Sequence, residues 1–280
     1  MHYPEILSIQ PAPVEIAWDE QRSLLYAVGL GAGADEADLP FVYEQGLQAL
    51  PTMAVMLAGG SGDFFTKGGI DMTRLMHGEQ RIHLLRPLPA AGRFRTQARC
   101  LGVVDKGAGK GALLIIESAL SDAATGEPIG TTTSTLFCRG DGGCGAPSTG
   151  GLPERPVPGR PHDSEVAIAT LPQQAAIYRL SGDRTDFHID PAAARRSGFP
   201  RPILHGLCTY GVVGRAVLRD ACANDPARIE RFEARFSAPV FPGETIVTRI
   251  WRNGREIAFE ARVAERDTVV LRNGWCLLRD

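Results

Sequence analysis

Apolar and polar residues alternate along several stretches of the chain, and short Pro- and Gly-rich bends stand before them. In the first half, Arg86-Pro87-Leu88-Pro89-Ala90-Ala91-Gly92 precedes a strand-like run from Arg93 to Val104. A turn over Asp105 to Gly111 and an apolar run from Ala112 to Leu120 follow. The second half repeats the theme. Ser237-Ala238-Pro239-Val240-Phe241-Pro242-Gly243 precedes Glu244 to Trp251, then come a turn at Asn253-Gly254, an alternating run from Ile257 to Val263 and a last strand from Val269 to Leu278. A Pro-rich bend followed by strands with short turns predicts an antiparallel meander. Each meander is preceded by one helix-like segment. The first runs from Pro51 through Met53, Val55, Met56 and Leu57, and Gly59-Gly60 can end it. In the second, Leu207, Tyr210, Gly211, Gly214, Val217 and Leu218 recur on one helical face, with small residues that let a sheet approach closely. The pattern predicts an α+β fold, two antiparallel sheets each wrapped around a central helix, and two such sheets could pair edge to edge and protect their edges.

Between the repeats, 12 of the 22 residues from Gly140 to Pro161 are Gly or Pro, too many for a regular element. The chain therefore divides into residues 1–139, a linker over 140–161, and residues 162–280, each half long enough for its own core. With 280 residues, 44% hydrophobic and 22% charged, the composition is that of a globular protein and excludes global disorder. Lys and Arg total 30 against 32 acidic residues, so no basic excess exists to hold nucleic acid. No apolar run approaches the roughly 18 to 20 residues that span a bilayer, and Met1-His2-Tyr3-Pro4-Glu5 lacks the pattern of a signal peptide. Neither nucleic acid nor a membrane is an expected partner. Cys100, Cys138, Cys144, Cys208, Cys222 and Cys276 are scattered without CxxC spacing, which fits reduced thiols better than a disulfide framework. Leu277-Leu278-Arg279-Asp280 is not a peroxisomal signal of the Ser-Lys-Leu kind, and a cytoplasmic setting is expected.

The densest polar cluster is Ser181-Gly182-Asp183-Arg184-Thr185-Asp186-Phe187-His188-Ile189-Asp190-Pro191, which reads as a loop with a short helical piece. A compact loop can turn Asp183 and His188 into one cleft. A neutral imidazole there accepts a proton from water while the carboxylate orients that water or the ring. The same residues also fit an Asx-type turn at Asp183 with a solvated His188, and Asp186 and Asp190 read as surface carboxylates. Pro202-Ile203-Leu204-His205-Gly206-Leu207-Cys208 then opens the second helix. Its unpaired N–H groups, with no side chain at Gly206 to obstruct them, outline an oxyanion site. His205 fits a capping or packing role, or, with Cys208, half of a metal site. His77-Gly78-Glu79-Gln80 fits a turn, and Lys106 a solvated turn cation that could meet a phosphate.

Taken together, Tyr178-Arg179-Leu180-Ser181-Gly182-Asp183, His188-Ile189-Asp190-Pro191, Gly198-Phe199 and Pro202 to Cys208 resemble the (R)-specific enoyl-CoA hydratases, or hydratase 2, of the MaoC-like dehydratase group. The hydratase unit of peroxisomal multifunctional enzyme type 2 is similar. Tyr26 to Gly31, Phe41-Val42-Tyr43-Glu44, Leu50-Pro51-Thr52, His77 to Gln80 and Asp105-Lys106-Gly107 carry the resemblance through the first half. It implies a double hot-dog fold in which only the second half keeps the catalytic loop and the first has gained room for an acyl chain. It also implies Asp183 and His188 as the catalytic pair and Gly206 as backbone donor to a thioester oxygen. His77, Gly78, Lys106 and Phe236, with the loop residues Arg184, Thr185, Asp186 and Phe187, become substrate contacts. The substrate would be an acyl-CoA thioester, no metal or redox cofactor is implied, and a homodimer is left open. The family loop usually reads Gly-Asp-x-Asn-Pro-Leu-His. Here Thr185 offers a hydroxyl in place of the amide, and Asp186 and Phe187 replace proline and leucine. An acyl-CoA thioesterase using the same activated water, or a non-catalytic acyl-CoA-binding module, are the alternatives.

Overall fold

Both Pro- and Gly-rich bends lead into strands in the computed structural model, which describes residues 1–280. The first half supplies β1 (Val14–Trp18), β2 (Leu75–Leu84), β3 (Gly92–Asp105), β4 (Ala112–Asp122) and β5 (Pro128–Cys138). The second supplies β6 (Ser164–Ala169), β7 (Ile229–Phe236), β8 (Thr245–Asn253), β9 (Glu256–Val263) and β10 (Thr268–Leu278). The helices are α1 (Glu20–Gly29), α2 (Leu39–Val42), α3 (Gly62–Lys67), α4 (Gln174–Tyr178), α5 (Pro191–Arg196) and α6 (Gly206–Ala221). Residues 140–161 contain neither helix nor strand.

The ten strands form one continuous sheet in the order β1-β3-β4-β5-β2-β7-β10-β9-β8-β6. The two sheets read from the sequence are thus joined edge to edge, antiparallel, through β2 and β7, with Gln80 opposite Ala234 and Ile82 opposite Phe232. Charge follows the register: Arg81 lies opposite Glu233, and its guanidinium reaches that carboxylate at 3.1 Å. The linker is drawn onto this seam. Arg81 donates to the Pro153 carbonyl at 2.8 Å, Arg235 pairs with Glu154 at 2.8 Å, and the Arg155 guanidinium lies 3.7 Å above the Trp275 ring. Cation–π stacking with a charge partner beside it fixes a segment whose composition gives it no order of its own.

Two elements differ from expectation. Residues Pro51–Leu57 form a 3₁₀ helix instead of an α-helix. Pro51, Thr52, Met53, Ala54, Val55 and Leu57 are all buried, so packing on every side, not one amphipathic face, sets their conformation. The central α-helix is therefore made once, in the second half. The other difference is His77 to Gln80, which is no turn: these residues lie inside β2, with a register shift between His77 and Glu79. A β-bulge accommodates the extra residue, and Gly78 sits there because a Cβ would come within 3.0 Å of the Thr135 carbonyl oxygen.

Helix α6 is buried continuously from Cys208 to Leu218. Its small residues admit the first half of the chain instead of a sheet: Cβ atoms at Gly211 and Gly214 would overlap Leu30 and Thr52, at 2.6 and 2.7 Å. The helix also carries a buried charge. Arg215, 3% exposed, donates from Nη2 to both carboxylate oxygens of Asp38, 1% exposed, at 2.8 and 2.9 Å, and from Nη1 to the Leu30 carbonyl at 2.7 Å. Arg219 adds a bond of 2.7 Å and the Gly33 amide one of 2.9 Å. These bonds offset the cost of burying the two charges, although the Nε atoms of Arg215 and Arg219 are buried without a partner. No helix is long and apolar enough to cross a membrane.

Candidate active site

The polar loop before α6 is built by local chemistry. Gly182 takes φ +144° at the end of a 3₁₀ turn over Arg179–Ser181, a conformation that suits a residue without Cβ. Asp183 then folds the backbone around its own carboxylate: its Oδ1 accepts from the Thr185 amide at 3.1 Å and the Thr185 hydroxyl at 2.7 Å. A second 3₁₀ turn, Asp186–His188, brings His188 inward, and Asp190 caps α5 through the Ala192 amide with Pro191 at its first position. The Asx turn is thus present, but His188 is not solvated; it is 6% exposed.

Asp183, His188 and His205 converge, each offering one atom within 4.8 Å of the others. Their donor and acceptor roles are readable. The His188 Nδ1 lies 2.8 Å from the Ile203 carbonyl, which can only accept, so Nδ1 carries the hydrogen and Nε2 keeps its lone pair. His205 Nε2 likewise donates to the Asp183 backbone carbonyl at 3.1 Å. The two imidazoles stack with centroids 3.7 Å apart and an interplanar angle of 22°. Burial pulls the pKa of His188 below its ordinary value, only partly offset by the Ile203 carbonyl and the Asp183 charge. His205 is drawn down to about 4, first by burial and then by His188 beside it. Burial pushes the Asp183 carboxyl up, but the Thr185 bonds and the two histidines outweigh it and hold it below the usual range. The site therefore holds two neutral imidazoles and one carboxylate at neutral pH. These three groups could also ligate a metal ion. The pairing of His205 with Cys208 does not form, because the Cys208 thiol points to the Gly29 carbonyl at 3.5 Å.

One residue beyond His205, Gly206 opens α6 with an amide that has no intrahelical acceptor. The Phe236 ring lies against it, with Cε1 3.3 Å from where a Cβ would stand, so any larger residue there would crowd the ring. Phe236 in turn meets the His77 ring edge-on at 5.0 Å, and these two residues come from the paired strands β7 and β2. The His77 Nε2 donates to the Glu79 carbonyl at 3.1 Å, and burial depresses its pKa to about 4. The wall facing the catalytic loop is thus drawn from both halves. Met56 completes it, with Cε 3.4 Å from a Gly182 Cβ position and Sδ 3.6 Å from the Tyr178 hydroxyl. Phe187 is half-buried against His188 and Phe199, with centroids at 4.3 and 5.9 Å, while Arg184, Thr185 and Asp186 are exposed. Lys106 is exposed on the β3–β4 turn, and its ammonium makes no hydrogen bond or ion pair. The member that the sequence reading left among caps and packing residues is His205. A histidine abutting Gly206 at the same helix start was the available signal.

Comparison with known proteins gives the family. Residues 17–140 match the MFE-2 hydratase 2 N-terminal domain and residues 154–273 the MaoC like domain. The chain is 41% identical over 275 residues to 3-hydroxyacyl-thioester dehydratase Y of Mycobacterium tuberculosis, covering 94% of this chain and 92% of that one. It is 36% identical to the peroxisomal enoyl-CoA hydratase 2 of Arabidopsis thaliana, covering 91% and 88%. The crystal structure of a MaoC-like dehydratase from Phytophthora capsici superposes with a TM-score of 0.89 at 34% identity over 100% of this chain and 99% of that one. A double hot-dog of two unlike repeats, the chain belongs to the MaoC-like dehydratases of the hydratase 2 type.

Proposed function

We propose that the protein catalyses the reversible hydration of trans-2-enoyl-CoA to (R)-3-hydroxyacyl-CoA, with Asp183 and His188 holding the water and Gly206 binding the thioester oxygen. The observation that carries this reading is the convergence of the Asp183 carboxylate and His188, whose Nδ1 is tied to the Ile203 carbonyl so that Nε2 keeps the lone pair, on a helix start with an unpaired amide at Gly206. In the forward step the water oxygen bonds to C3, one water proton passes to His188 Nε2, and the displaced π electrons run to the thioester oxygen. The Gly206 amide receives that charge, the term that contributes most in such sites. The proton then returns from the same small group to C2, so one water is added and nothing else is consumed. The (R) configuration is supported by the match of residues 17–140 to the MFE-2 hydratase 2 N-terminal domain. His77, Gly78, Phe236 and Lys106, with Arg184, Thr185, Asp186 and Phe187, are assigned to the CoA ester and its acyl group. Residues 1–139 make room for the acyl chain, 140–161 connect, and 162–280 carry the reacting loop. The mechanism draws on no metal or cofactor. Six free cysteines support a reducing, cytoplasmic setting.

Crotonyl-CoA hydration, followed as loss of the enoyl absorbance, is expected to be fast, whereas thiol release from a saturated acyl-CoA should stay at background. The opposite pattern identifies a thioesterase, and tight binding without turnover identifies a binding module. The pH profile is a second check. His188 must be neutral to accept a proton, so kcat/KM falls as the pH drops through its pKa in the free enzyme. Because burial lowers that pKa, the acid limb of kcat/KM should lie below the ordinary histidine value of about 6.5. An acid limb above neutrality would remove His188 as the base.

A further inference from the structure

We propose that His205 is a positioning residue of this site, one that ties the catalytic loop to the oxyanion helix and leaves the water pocket lined by acceptors alone. The inference rests on the hydratase reading and adds a role to a side chain outside the Asp183, His188 and Gly206 set. Three contacts meet in this residue. Its Nε2–H holds the backbone carbonyl of Asp183 at 3.1 Å, its ring lies flat on His188 at 3.7 Å, and its own backbone leads directly into Gly206. It is 1% exposed, so these contacts are made in the interior. Its remaining ring nitrogen, Nδ1, is buried and has no hydrogen-bond partner in the protein. An unmet acceptor in such a place is costly unless a ligand meets it, and a ring atom of His205 lies within 4.8 Å of its counterparts on Asp183 and His188.

The consequence concerns the orientation of the water. On this proposal the water sits among the Asp183 carboxylate, the free His188 Nε2 and the unpartnered His205 Nδ1, where it would find acceptors and no donor. It must donate both hydrogens inward, which leaves its lone pairs turned toward the bound enoyl group. The opposite tautomer of His205 would aim an N–H at the oxygen and mask the nucleophile. The bond to Asp183 prevents this by keeping the hydrogen on Nε2. The low basicity of His205 acts in the same direction, since protonation would also place a donor there.

His205→Phe and His205→Gln separate packing from polarity. The phenyl ring keeps a flat stack on His188 but has neither donor nor acceptor, whereas the amide can both hold the Asp183 carbonyl and offer an oxygen. With crotonyl-CoA as substrate, His205→Phe is expected to lower kcat by about 30- to 100-fold with KM within about 3-fold. His205→Gln should recover at least about 5-fold of that loss. A His205→Phe variant within about 3-fold of wild type in kcat, or a Gln variant no better than Phe, overturns the proposal. Should the Phe variant fail to fold, His205→Ala decides: saturable rescue of kcat by added imidazole supports the role, and no rescue overturns it. A wild-type protein that does not hydrate crotonyl-CoA sinks the hydratase reading itself. An active wild type with an indifferent His205 sinks only this inference.

Discussion

His188→Ala is expected to lower kcat for enoyl-CoA hydration by about 10³- to 10⁴-fold, the upper part of what a positioned base contributes. The variant removes Nε2, the atom to which the water proton passes, and His205 is a poor substitute: its Nε2 is engaged with the Asp183 carbonyl, and burial and the neighbouring His188 draw its pKa down to about 4, which leaves its Nδ1 a weak base. Asp183→Asn tests the other half of the pair with less disturbance. The amide oxygen can still accept from Thr185, so the turn is kept, while the negative charge that steadies an imidazolium is lost. A loss of about 10²- to 10³-fold is expected, with KM little changed. Both variants should keep the wild-type circular dichroism spectrum. Hydration within about 10-fold of wild type in either one would exclude that residue from proton transfer.

The largest expected loss of stability lies elsewhere. Asp38→Ala leaves Arg215 charged and 3% exposed without its carboxylate, and such a variant is expected to lose about 3 to 5 kcal/mol. For a chain of this size that corresponds to a Tm lower by roughly 6 to 15 °C. Removing the partner charge as well, in Asp38→Ala with Arg215→Met, should recover much of the loss, because the cost lies in the orphaned cation more than in the missing bond. A single variant melting within about 2 °C of wild type would show that Arg215 finds water or another acceptor. The same network sets an acid limit. Burial pushes Asp38 up, but Arg219, the Gly33 amide and Arg215 outweigh it, so its folded pKa is lower than its unfolded one. Its contribution is complete above the unfolded carboxylate value of about 3.9 and disappears as the pH falls through the lower, folded value.

Much of this molecule is legible in its sequence because the strands obey local rules. Alternation in Ile257 to Val263 and the Asn253-Gly254 turn are short-range signals, and strands β8 to β10 lie where they point. The recurrence of Leu207, Tyr210, Gly211, Gly214, Val217 and Leu218 likewise marks α6, since a helix with one buried face has a period. Residues Pro51–Leu57 are misread for the converse reason: buried on nearly every side, they carry no period that could distinguish one helix type from another. His77 to Gln80 look like a turn because a bulge glycine and polar residues imitate one, and only pairing with β5 and β7 reveals a strand. The chemistry divides along the same line. Asp183 and His188 belong to one compact loop whose composition announces it. The stacking of His205 on His188, the meeting of His77 with Phe236 and the salt bridge from Asp38 to Arg215 span long stretches of chain, and no local pattern encodes such contacts.

Helix α6 belongs to the second repeat in sequence but to both in packing. Leu30 and Thr52 fill the spaces over its glycines, and the main hydrophobic cluster of 44 residues draws on both halves. The main interior is shared, so the pair is expected to melt as a single cooperative unit, and a half-length fragment would expose the very helix on which its active-site loop rests.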